Sequence, residues 1–109
     1  MKLCEFLVDS LTALASGDWA ADGRCLAGPI GVGQRFDTLL QNEVARGASS
    51  WVSRSSGDPV RVELSVVEIV AYGQPLASLP EGMTARLVLR GEGGEKAVAP
   101  SVVLSGEIN

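Results

Sequence analysis

Apolar and polar residues alternate most cleanly over 60–72. Val60, Val62, Leu64 and Val66 fall on one side there, with Arg61, Glu63 and Ser65 on the other. A period of two is the pattern of a half-buried strand. The phase slips at Val66-Val67, after which Val67, Ile69 and Ala71 form the apolar set, and a one-residue slip predicts a bulge or a bend. Ala85, Leu87 and Leu89 alternate with Arg86, Val88 and Arg90 in a second strand. A short strand is expected over 19–27, interrupted by Asp22-Gly23, a pair that marks a hairpin turn or a bulge. Another is expected over 34–41, with Phe36 and Thr38 on one side and Arg35, Asp37 and Leu39 on the other. The last is expected over 98–104.

The first segment supports two patterns. Leu3, Leu7, Leu11 and Leu14 recur at helical spacing with Phe6 beside them, while Cys4, Phe6 and Val8 make one face of a strand. Pattern alone leans slightly to the helix. Ser16-Gly17-Asp18, the run 28–33, the Pro75- and Pro80-bearing run 73–82 and the run 91–94 all carry turn chemistry. The segment 42–59, NEVARGASSWVSRSSGDP, has no sustained period and reads as a longer irregular loop, a length uncommon in compact domains unless the loop is mobile or functional. About six strands with short connections exclude a parallel sheet, whose crossovers need a dozen or more residues. An antiparallel sandwich or a closed barrel follows.

At 109 residues the chain is the size of one domain. Aromatic residues are only 5%, so the core has to be built from Val, Leu, Ile and Ala. The net charge of −4 disfavours free nucleic acid as a general partner, because neutralising phosphates takes a basic surface. Glu5 and Asp9 interrupt the N-terminal apolar run, and no stretch approaches the roughly 20 apolar residues of a membrane span. A soluble, cytoplasmic protein with reduced thiols at Cys4 and Cys25 is the expectation.

Several short motifs, in order, resemble the second domain of translational GTPases of the elongation factor Tu type. They are Arg24 to Arg35 (RCLAGPIGVGQR), Val67-Glu68-Ile69, Pro80-Glu81-Gly82, Leu89-Arg90-Gly91 and Val102-Val103-Leu104. The resemblance covers the chain from about Phe6 to Leu104. It implies an all-β fold, a single closed six-stranded antiparallel β-barrel spanning 1–109, in which the first segment is a strand. The chain departs from the family in lacking the phosphate loop of its GTPase part, and in carrying Ala15-Ser16-Gly17-Asp18-Trp19 where the family has Gly-Arg-Gly. In the family this domain helps hold the aminoacyl end of tRNA with an acidic residue near the Val-Glu segment, and Glu68 occupies that place here.

The chain has no histidine, which removes the usual general base near neutral pH and the usual zinc ligand. Two cysteines alone make no structural zinc site, and a Cys nucleophile would lack its imidazole partner. No catalytic residue, metal or cofactor is expected. Glu63 and Glu68 are the carboxylate pair to weigh for hydrolysis; plain alternation puts them on opposite faces, and the slip at Val66-Val67 can reunite them. Arg86 and Arg90 share one strand face, either as a small anion-binding stripe or in cross-strand pairs with Glu63 or Glu68. Trp51, flanked by Arg46 and Arg54 in the long loop, is the leading contact residue, since aromatics and Arg dominate interface hot spots; the competing reading has it folded back to cap a barrel end. Trp19, beside a tight turn, is expected to pack. The functional expectation is a non-catalytic binding module whose partner is a protein or ribonucleoprotein. Three alternatives stay open: an RNA- or tRNA-end-binding barrel using Glu68, Arg86 and Arg90; a small carboxylate-dependent hydrolase; and a homodimer formed through an exposed barrel edge.

Overall fold

The computed structural model describes residues 2–47, 50–55, 59–96 and 102–108, with the backbone alone at 41–47, 50–55 and 96. The strands are β1 (Leu3–Ala13), β2 (Trp19–Ala27), β3 (Ile30–Gly31), β4 (Arg35–Gly47), β5 (Ser50–Ser55), β6 (Val60–Ala71), β7 (Gln74–Leu76), β8 (Ser78–Leu79), β9 (Thr84–Glu92) and β10 (Val102–Glu107). One 3-10 turn covers Gly94–Lys96. Around the molecule the hydrogen-bonded order is β4-β10-β1-β2-β9-β6, and β6 pairs back onto β4. Every one of these six contacts is antiparallel. The result is a closed six-stranded antiparallel barrel, which has no free edge in its wall. No helix among the described residues is long and apolar enough to cross a membrane.

The strand pattern of the first segment prevails over its helical one. Cys4, Phe6 and Val8 are fully buried inside the wall, because β1 gains hydrogen bonds from β2 on one side and β10 on the other. A lone amphipathic helix would have had no such partners. The expected slip in β6 is a bulge: register shifts between Val66 and Glu68 against β9, so Val62, Leu64 and Val66 and then Ile69 and Ala71 all point inward.

A second bulge was not legible. Register against β6 shifts between Phe36 and Thr38, so Leu39 joins Phe36 inside instead of taking the opposite side with Arg35 and Asp37. A third lies between Val8 and Ser10 of β1, against the Asp22-Gly23 pair of β2. Gly23 is required where it stands, since a Cβ there would collide with the Leu7 carbonyl oxygen.

Residues of the expected irregular loop, 42–59, are strand over most of their length. β4 runs on to Gly47, and β5 returns beside it in unbroken register from Asn42↔Ser55 to Gly47↔Ser50. Mixed side chains erase the period there, while the backbone pairs regardless of pattern. The expected loop 73–82 carries β7 and β8. The last strand begins at Val102 and runs to Glu107, and 97–101 lie outside the described residues.

Both barrel ends are closed by side chains. Ile30 and Leu79, on the paired β3 and β8, are fully buried in the core cluster. Beside them Gln34 donates through Nε2 to the carbonyls of Arg35 (2.8 Å) and Glu107 (2.7 Å), tying the connection to the end of β10. At the other end Trp19 packs on the core as expected, and Gly94 lies so close to its indole that a Cβ could not be added.

Candidate functional site

Two cross-strand rows on the outer wall hold the arginines of β9, Arg86 and Arg90. Register places Asp22 opposite Arg86 and Trp19 opposite Leu89, so Asp18 comes level with Arg90 one residue further on. Arg86 grips Asp22 with two hydrogen bonds, Nε to Oδ1 at 2.9 Å and Nη2 to Oδ2 at 3.0 Å. Arg90 grips Asp18 likewise, at 3.0 and 3.1 Å. Such two-point guanidinium–carboxylate contacts fix orientation as well as charge. Across the wall the first row reads Ser10, Asp22, Arg86, Val70, and the second Asp18, Arg90, Ser65, Arg35.

The hydrogen bond from Arg90 holds the Asp18 carboxyl below its ordinary value, helped by the guanidinium charge and by Ser16, and opposed by burial. Arg86 does the same for Asp22, with Ser10 adding a weaker contact at 3.3 Å. These partners correct the expected cross-strand pairing with Glu63 or Glu68. Glu63 instead faces Glu92 across β6 and β9, and Glu68 faces Val88. In the sequence Asp18 and Asp22 read as turn and bulge residues, not as ion-pair partners. The available signal was the matched spacing of four in Asp18/Asp22 and Arg86/Arg90, which becomes meaningful only once β2 and β9 are neighbours.

Glu63 and Glu68 are both exposed on the outside of the barrel, reunited by the bulge at Val67. Five residues of extended chain still set their backbones about 16 Å apart. Paired carboxylates that hydrolyse glycosides stand roughly 5–9.5 Å apart. Among the described residues, no group of three or more His, Cys, Asp or Glu is arranged to hold a metal.

Arg46, Trp51 and Arg54 have side chains outside the described residues. Their backbone is placed: Arg46 opposite Trp51, and Arg54 opposite Glu43, along the β4–β5 hairpin. Among the described residues, that hairpin continues past the last barrel pair of β4, Gln41↔Val102, and β5 pairs with β4 alone. The hairpin is therefore an arm on the barrel, separate from the Arg86 and Arg90 rows.

Cys4 and Cys25 are fully buried free thiols. The Cys4 thiol donates toward the Pro29 carbonyl at 3.2 Å. Burial raises the Cys4 pKa and, with the nearby Cys4 sulfur and Glu81, pushes Cys25 up to about 11. Neither is poised as a nucleophile.

Two of the grooves among the described residues cross several strands of the outer wall. One of about 390 Å³ crosses β4, β6 and β9 and is lined by Arg35, Arg61 and Arg90 together with Asp37, Glu63 and Glu107. Arg90 is already paired with Asp18, so Arg35 and Arg61 face three carboxylates, and the groove carries no excess of positive charge to draw an anion. The other, about 430 Å³, lies between β1, β2, β9 and the end of β6, with Asp9, Asp22, Tyr72 and Arg86 around it. Compared with known proteins, the chain matches no family model and no curated protein.

Proposed function

We propose that this chain is a non-catalytic binding module whose partner is a protein or ribonucleoprotein, engaged through the β4–β5 arm and one face of the barrel. The observation that carries the reading is the arm itself. Among the described residues the six wall strands each pair on both sides, whereas β5 pairs on one side only and offers a six-residue edge. A two-stranded hairpin in water is marginal without further packing, and an open edge is a template for another chain. Arg46, Trp51 and Arg54 belong to this arm, and these residue types anchor interfaces. The motifs shared with the second domain of elongation factor Tu-type GTPases favour a translation-linked partner.

The RNA-end reading is less well supported. Arg86 and Arg90 are already committed to aspartates, and the chain is net negative. Hydrolysis by Glu63 and Glu68 is disfavoured by their separation.

The test is affinity capture from host lysate, with and without RNase, using the native chain and Trp51→Ala. A partner retained after RNase and lost with Trp51→Ala supports a protein contact through the arm. Ribosomal proteins or translation factors that vanish with RNase support the ribonucleoprotein version. Capture unchanged by Trp51→Ala sinks the role of the arm.

A further inference from the structure

Two local distortions converge on the 430 Å³ groove. The first is the β1 bulge between Val8 and Ser10, where Asp9 is the extra residue. Bulges re-aim a side chain, and Asp9 is exposed at the groove with no ion pair among the described residues. The second is the hairpin from β6 to β7. Ala71 pairs with Gln74, leaving Tyr72-Gly73 as a two-residue turn in which both φ angles are positive, +53° and +74°. This is the type I′ geometry, for which Asn, Asp and Gly are the favoured residues. A tyrosine in the left-handed region costs free energy that the turn does not require. Its ring makes no repayment by burial, since Tyr72 is 86% exposed, the most exposed large apolar or aromatic side chain among the described residues.

The wall of the groove between these two features is tied by hydrogen bonds and close backbone packing. Asp22 is held by Arg86 and by Ser10, and Gly23 leaves no room for a side chain against β1. Of the charged groups around the groove, Arg86 is neutralised by Asp22, and Asp9 remains as an uncompensated carboxylate. An exposed aromatic face and a free carboxylate on one groove fit a cation that is flat enough to stack and can donate two hydrogen bonds to the carboxylate. Guanidinium has both properties.

We propose that this groove is a docking site for an arginine side chain presented by a partner polypeptide, stacked on Tyr72 and paired with Asp9. It stands apart from the β4–β5 arm: β6 begins beside the base of the arm at Val60, and Tyr72 follows its twelfth residue. The site therefore holds or fails independently of the arm's role.

The test is an amide-shift NMR titration of the whole chain with blocked Gly-Arg-Gly and Gly-Gln-Gly peptides. The expected result is saturable shifts confined to the neighbourhood of Asp9, Tyr72 and Arg86 with the arginine peptide, and none with the glutamine peptide. Tyr72→Asn should abolish the saturation and raise the thermal unfolding midpoint by a few degrees, because asparagine suits the turn better. Asp9→Asn should weaken binding several-fold with the fold intact. Equal shifts with the glutamine peptide, undiminished binding by Tyr72→Asn, or shifts confined to the arm each overturn the proposal.

Discussion

Inside the barrel, Cys4 and Cys25 show how little a thiol's chemistry owes to its identity and how much to its surroundings. Thiolate is the reactive form, and burial disfavours it at both positions. At pH 8 a disulfide reagent such as DTNB should therefore label neither thiol in the native chain and both after denaturation; fast native labelling would contradict their burial. Gly23 makes a second residue-level prediction. Gly23→Ala drives a methyl group into the Leu7 carbonyl of a strand held on both sides, so unfolding free energy should fall by ~2 kcal/mol or more in urea titrations. The burial of Cys4 and Cys25 and the packing of Trp19 on the core were legible from the sequence. The need for Gly23 was not, because it depends on which backbone passes over it.

The paired strands β2 and β9 carry the ion-pair rows, and their pH response follows from the sign of the shifts. Asp18 and Asp22 have folded-state pKa values below the ordinary 3.8, so the unfolded chain takes up protons first as acid is added. Their stabilisation is present above about pH 4 and is lost as pH falls through the depressed folded values. Urea midpoints measured from pH 6 down to pH 2 should fall less steeply for Asp18→Asn/Asp22→Asn than for the native chain; parallel curves would show that the pairs contribute nothing to folding. At this scale the β6 bulge was visible as a phase slip, because Val66-Val67 breaks an otherwise regular alternation. The β4 bulge was not, since Phe36, Thr38 and Leu39 satisfy either phase. The strands of the arm were hidden because Ser, Arg, Gly and Trp mix there without a period, while the backbone pairs regardless of side-chain pattern.

For the molecule as a whole, short connections and strand periodicity were enough for the antiparallel barrel. The pairing of distant strands, on which the ion-pair rows and the Asp9–Tyr72 groove depend, was beyond them. The wall closes through β4, β6 and β10 before the arm begins, so the arm is separable from it. Replacing 42–58 by a four-residue Asn/Gly turn should leave the barrel's circular dichroism and cooperative unfolding in place while removing partner capture. A chain that no longer folds would show instead that the arm supports the wall.

The seam of the barrel lies between β1 and β10, where Leu3 faces Glu107 and the Ile108 amide donates to the Lys2 carbonyl at 3.0 Å. Both ends of the described chain thus leave from the same rim, side by side. Such a unit can be spliced into a surface loop of another protein, or its ends joined and a new break opened at a turn, without stretching a single strand. The barrel has the topology of a cassette.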